Sequence, residues 1–122
     1  MCGIFGITEK NTNLVAAMIN QSSHRGPDGS SVWSNNHLTL GHNLLSITSK
    51  PTDGAQPYVT SKGNVLTYNG EIFNYNYLIK KFKNKFMPKT TCDTEILGWL
   101  LDNYDYQEVI SNQIDSMHAF VF

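Results

Sequence analysis

The feature that most constrains this chain is one amphipathic stripe. Ile96, Leu97, Leu100, Leu101 and Tyr104 recur at i, i+1, i+4, i+5 and i+8, which predicts a helix over about 93–104 with a single buried face. Three more helices are expected. Asn11 or Thr12 is placed to cap one over 13–22, with Leu14, Val15, Met18 and Ile19 on one face. Asn74 is placed to cap another that turns Tyr77, Leu78 and Phe82 inward. Asp105 with Glu108 reads as a capping pair for the last, which carries Tyr106, Val109, Ile110 and Ile114.

The other apolar runs are short and strand-like. Residues 2–8, Val32-Trp33, 38–47 and 65–68 read as strands, the second and third joined through a turn at Ser34-Asn35-Asn36. The strand over 65–68 is expected to end at a chain reversal at Asn69-Gly70. Residues 48–57 hold two prolines and a glycine and read as a loop. The run 119–122 is apolar enough to expect sheet neighbours on both faces, so it either docks inside a sheet or belongs to a domain that continues; the second is the expectation.

At 122 residues the chain has room for one domain with a modest core. A formal net charge of −1 gives no general pull towards nucleic acid or an anionic membrane, so neither is expected as a partner. Lys80, Lys81, Lys83 and Lys85 read as a solvated helix end. There is no apolar run of membrane-spanning length and no signal-peptide pattern. Cys2 and Cys92 make neither a disulfide framework nor a metal cluster, which points to a reducing, cytoplasmic setting. His24, His37, His42 and His118 lack metal-ligand spacing, so no metal is assigned. Arg25 is the only arginine.

Cys2 carries the first chemical signal. Initiator methionine is normally removed when the next residue is small. Removal places a free α-amine beside the thiol on one residue, and the two groups have matched affinities for a proton near neutrality. One residue then supplies both nucleophile and base. By itself the pattern favours an accidental buried small residue. The context decides it. Cys2-Gly3-Ile4-Phe5-Gly6 is followed by His24-Arg25-Gly26-Pro27-Asp28, then Gly41-His42, Leu45-Ser46-Ile47, Gly54-Ala55-Gln56-Pro57, Asn69-Gly70-Glu71-Ile72-Phe73-Asn74, and Asp93 with Glu95. In that order and spacing the set resembles the glutaminase domain of asparagine synthetases, a class II glutamine amidotransferase of the N-terminal nucleophile type. The resemblance covers nearly the whole chain.

The resemblance implies an α+β fold: part or all of a four-layer αββα sandwich with antiparallel sheets, residues 1–122 forming one amidotransferase domain that is incomplete at its C-terminus. It implies that Cys2 attacks the carboxamide of glutamine, giving a glutamyl thioester and ammonia. Asn69 and Gly70 match the oxyanion hole, the first through its side-chain amide and the second through its backbone N–H. Asp93 matches the carboxylate that holds the α-ammonium of glutamine, and Glu71 a second substrate contact. Leu45, Ser46 and Ile47 match a wall of the pocket, whereas Arg25 and Asp28 match an architectural motif near the nucleophile. Cys92 reads as a small buried side chain. No cofactor is expected in this chain; ATP and magnesium would belong to a synthetase domain, which is absent from these residues, so that either a partner chain supplies it or the chain is a fragment of a longer product. The exposed edge of an incomplete sheet otherwise predicts a homo-oligomer.

One position departs from the pattern. The family places an arginine for the α-carboxylate of glutamine directly before the Leu-Ser-Ile wall, and here that residue is Leu44. Lys50 is the available but poorer substitute. Two alternatives therefore stand beside the glutaminase reading. One is a catalytically impaired or silent subunit or binding module. The other is a hydrolase acting on a different amide, since Leu44 tolerates amides that lack the carboxylate.

Overall fold

The computed structural model describes residues 2–47 and 52–122. Along the chain it forms β1 (Gly3–Ile7), α1 (Thr12–Gln21), a 3-10 turn (Ser23–Arg25), β2 (Gly29–Ser34), β3 (Thr39–Leu44), β4 (Tyr58–Val59), β5 (Val65–Ile72), α2 (Tyr75–Phe82), α3 (Asp93–Asn103), α4 (Tyr106–Glu108) running into a π-helical turn (Val109–Gln113), and β6 (Ser116–Val121). Two antiparallel sheets result, in the orders β1-β3-β2 and β4-β5-β6.

The alternation of β3 explains how the layers stack. Thr39, Gly41 and Asn43 face α1. A side chain on Gly41 would drive into Val15 and Ile19, so glycine lets the helix sit close on the sheet. Asn43 Nδ2 donates to the Ile19 and Ser22 carbonyls at 3.0 Å each, which satisfies acceptors that the end of α1 leaves open. Leu40, His42 and Leu44 face the second sheet, where His42 Nε2 meets the Tyr68 carbonyl at 3.2 Å. In β5, Thr67 looks back at the first sheet through its 3.4 Å bond to the Gly41 carbonyl. Leu66, Tyr68 and Ile72 look the other way, into a core shared with Leu78, Phe82, Ile96, Leu97 and Leu100 of α2 and α3. The order is helix, sheet, sheet, helices: the expected αββα sandwich.

The expected helices appear, with differences that have local causes. Asn11 caps α1 by accepting from Leu14 N–H at 3.0 Å. Ile96, Leu97, Leu100 and Leu101 of the stripe on α3 are buried as expected, Tyr104 just past its end is partly so, and Phe82, Phe86, Trp99 and Tyr104 pack ring against ring where α2 crosses it. Asn74 stands at the N-cap of α2, but its side chain makes no capping bond. Its amide instead bridges the Gln113 carbonyl and the Asp115 N–H, fastening the π turn to the end of β5. Tyr77 is 58% exposed rather than inward, because it lies one position off the Leu78–Phe82 stripe and packs under Lys81 instead. Asp105 does cap α4, accepting from Gln107 and Glu108 N–H, but the helix passes into the π turn within one turn. The pair at Tyr58-Val59 was not foreseen. Of the expected loop over 48–57, residues 48–51, Lys50 included, lie outside the described residues. The 119–122 run falls largely in β6, which pairs with β5 and leaves Met117, Val121 and Phe122 well exposed. No helix among the described residues is long and apolar enough to cross a membrane.

Candidate active site

Asn69 and Gly70 do not form a chain reversal. β5 runs straight through them to Ile72, with Asn69 opposite Ala119 and Gly70 opposite His118 of β6. Glycine is required here for close approach: a Cβ would collide with the Met117 carbonyl oxygen and lie 2.9 Å from His118 Cα.

Hydrogen bonding along β5 gives this stretch its chemistry. An antiparallel strand points successive N–H groups to alternate sides. Phe73 N–H points towards the β6 side, where it reaches the Asp115 carbonyl at 2.8 Å. Tyr68 and Ile72 therefore point theirs the other way, and β4 is too short to receive them. Side chains receive them instead. Gln56 Oε1 accepts from Tyr68 N–H at 2.6 Å, and Asp93 Oδ2 accepts from Ile72 N–H at 3.0 Å. Gly70, two residues from each, aims its N–H into the gap between Gln56 and Asp93. That gap is a cavity of about 100 Å³.

The cavity gathers most of the residues singled out from sequence. Cys2, Leu45, Ser46, Ile47, Asn69, Gly70, Glu71 and Asp93 all line it, and so does Leu44. Cys2 enters from the start of β1. Its sulfur is held against Leu45, whose N–H donates to Sγ at 3.3 Å and whose carbonyl accepts from it at 3.7 Å. Arg25 and Asp28 do not reach the cavity, consistent with a supporting place. Arg25 donates through Nε and an Nη to the Cys2 carbonyl, each at 3.3 Å, and Asp28 Oδ2 accepts from Ser46 N–H at 2.8 Å. The guanidinium thus grips the backbone of Cys2, and the carboxylate fixes the wall. Leu44 is buried, at the end of β3, on the face towards the cavity.

Asp93 opens α3 and faces the cavity from the helix side. Burial pushes its carboxyl above the ordinary carboxylate range, against the opposing pull of the Ile72 N–H and of the Tyr68 hydroxyl, which donates to Oδ2 at 3.3 Å. Burial and the facing Asp93 charge push the Tyr68 hydroxyl well up as well, so it stays a donor. Cys92 is buried and donates to Thr94 Oγ1 at 3.3 Å; burial raises its thiol. Glu95 is turned away to hold Lys89 N–H and the Thr90 hydroxyl, at 2.8 Å each.

Reading the sequence missed Gln56, Tyr68 and Thr94, which frame the cavity. Gln56 stood within the Gly54-Ala55-Gln56-Pro57 motif, but nothing local marks its side chain as a strand partner. Among the described residues no group of three or more His, Cys, Asp or Glu is placed to hold a metal ion. A thiol, an inward N–H, a side-chain amide and a carboxylate round one cavity are the parts needed for acyl transfer from a small amide bearing a cation.

The family described as glutamine amidotransferase domain matches residues 1–122. The chain is 34% identical over 104 residues to asparagine synthetase B (glutamine-hydrolysing) of Escherichia coli K12, covering 80% of this chain and 19% of that protein. It is 33% identical over 128 residues to a probable glutamine-hydrolysing asparagine synthetase of Schizosaccharomyces pombe, covering 99% and 22%. It is 34% identical over 131 residues to asparagine synthetase 3 of Bacillus subtilis, covering 98% and 21%. The chain spans about a fifth of the length of these relatives.

Proposed function

The chain belongs to the glutamine amidotransferase domain family, and from that premise we propose that it is a glutaminase of the asparagine synthetase type whose nucleophile is Cys2. With Met1 removed, the α-amine of Cys2 takes the thiol proton as sulfur attacks the carboxamide carbon. The oxygen of the tetrahedral intermediate lies in the gap between Gln56 and Asp93, stabilised by the Gly70 N–H and the Asn69 side-chain amide. Each such donor is worth about 10²–10³ in rate. The α-amine returns its proton to the leaving nitrogen, the C–N bond breaks and ammonia departs. Water then cleaves the thioester to release the acid. Asp93 holds the ammonium of the substrate, Glu71 assists it, and Leu45-Ser46-Ile47 form the opposite wall.

The observation that carries this reading is the row of donors on β5. Its first and third N–H groups are taken by Gln56 and Asp93, and the middle one is left aimed at the cavity that Cys2 lines. The free thiol fits a reducing, cytoplasmic setting. Residues 1–122 belong to an amidotransferase domain, and ammonia passes to a synthetase unit such as the remainder of the longer relatives would provide, within the same polypeptide or on a partner. ATP and magnesium act there and not in this cavity.

The test is acid and ammonia release from glutamine by protein whose intact mass confirms loss of Met1, with Cys2→Ala as control. Release that vanishes in Cys2→Ala supports the mechanism. Release that survives the substitution sinks the Cys2 mechanism, and no release from the processed protein leaves a silent binding module.

A further inference from the structure

The charge around the cavity is one-sided. Among the described residues that line it there are two carboxylates, Asp93 and Glu71, and no lysine, arginine or histidine. The single arginine of the chain is spent on the Cys2 carbonyl. Among the described residues, the amine next to the cavity is the α-amine that Cys2 would carry once Met1 is removed, and the reaction needs it uncharged. The wall opposite is uncharged and mostly apolar, built from Leu44, Leu45 and Ile47 with Ser46 among them. Leu44 stands on the inward face of β3, so its isobutyl group occupies ground that a polar contact would need.

Such a cavity suits a substrate with a positive charge and no negative one. Glutamine brings both. Its ammonium meets Asp93, but its carboxylate would face leucine on one side and the Asp93 and Glu71 carboxyl groups on the other. We propose that the preferred substrates are primary amides of ω-amino acids, which carry an ammonium but no α-carboxylate, with Leu44 setting the preference. The simplest is 4-aminobutanamide, which is glutamine with hydrogen in place of its carboxylate. The reaction balances as hydrolysis. Cys2 sulfur bonds to the carbonyl carbon, the C–N bond breaks, ammonia leaves with the thiol proton, and water converts the 4-aminobutanoyl thioester to 4-aminobutanoate.

This inference rests on the Cys2 reading for its chemistry, but the preference can be read without turnover. The three probes are 4-aminobutanamide, glutamine, and glutaramate, which keeps the carboxylate and lacks the ammonium. Their binding is measured by calorimetry on Cys2→Ala, and ammonia release on the processed chain. Expected are tighter binding of 4-aminobutanamide than of glutamine by roughly tenfold or more, the worth of a lost charged hydrogen bond, and no binding of glutaramate. Leu44→Arg should reverse the order. Lys50→Ala should leave the ratio of the two affinities unchanged.

Glutamine binding as tightly as 4-aminobutanamide or tighter overturns the proposal, as does a glutamine affinity that collapses in Lys50→Ala. The comparison on the Leu44 protein decides the matter even where Leu44→Arg fails to fold. Binding in the expected order without Cys2-dependent release would overturn the catalytic reading and leave the preference standing. Cys2-dependent release that favours glutamine would do the reverse.

Discussion

At Gly70 a single hydrogen atom separates two incompatible packings. The residue sits in β5 where the backbone of β6 passes so near that any side chain would strike the Met117 carbonyl and crowd His118 Cα. Backbone cannot give way as a flexible side chain can, so alanine must push the strands apart or twist Gly70. Either movement swings its N–H out of the gap between Gln56 and Asp93. Gly70→Ala is therefore expected to cost about 1–3 kcal/mol of stability, as overpacking does, and to lower kcat for amide hydrolysis more than it raises KM. Urea unfolding and steady-state kinetics on one preparation check this. Unchanged kcat in a folded variant would mean the Gly70 N–H takes no part. Gly63 is the control: it has φ +86° and open space about it, so alanine there should affect stability through strain alone and leave kinetics untouched.

Among the elements, β4 matters for where it stops. It pairs Tyr58 with Leu66 and Val59 with Val65, and the same register continued would set Gln56 opposite Tyr68. Backbone pairing has ended by then, and the Gln56 side chain takes its place. It accepts from Tyr68 N–H and donates to Thr94 Oγ1 at 3.2 Å, while its own carbonyl accepts from the Ser31 hydroxyl. The buried side-chain amide thus ties β5 to α3, next to Asn69 on one side and Asp93 on the other, while the backbone of the same residue holds β2. Gln56→Ala strands a buried N–H, so a loss of about 1–3 kcal/mol is expected. Hydrolysis should weaken with it, because Asn69 and Asp93 lose their common brace. Gln56→Glu keeps the acceptor and should restore stability in part; equal stability of the alanine, glutamate and wild-type chains would refute the bracing role. This is also where sequence and structure part company. Helix α3 was legible because its stripe is periodic, and the places of Cys2, Asn69, Glu71 and Asp93 were legible because a motif series carries them in order. The straight course of β5 through Asn69-Gly70 was not, since that dipeptide is ordinarily a turn signal and only its pairing with distant β6 overrides it. The role of Gln56 was hidden for the same reason: its partners are 12 and 38 residues away along the chain. Tyr77 and Asn74 misled because a short helix resolves its faces, and its cap, only once the neighbouring π turn is in place.

Across the whole molecule, the two sheets close over a histidine. His42 is 1% exposed between them, its Nε2 near the Tyr68 carbonyl, and burial lowers its pKa from 6.5 to about 4 despite that bond. The folded sandwich therefore keeps it neutral, with Nε2–H donating to Tyr68. Above pH 6.5 folded and unfolded chains agree on its charge and no penalty exists. As pH falls below that value, unfolded chains take a proton that the folded one refuses. The penalty grows until the folded pKa near 4 is reached, where it amounts to about 3 kcal/mol. Asp93 has the opposite sign: its raised carboxyl gains a proton more readily when folded, so lowering the pH into that range offsets part of the loss. The two are separated with His42→Gln, a neutral side chain that retains an N–H for the Tyr68 carbonyl. Urea unfolding from pH 7.5 down to 4.5 should show wild-type stability falling more steeply than that of the variant. The difference should begin near pH 6.5 and widen towards pH 4.5. Parallel curves would mean that the space between the sheets admits enough water to charge His42, and that the two halves of the sandwich are less tightly joined than their packing implies.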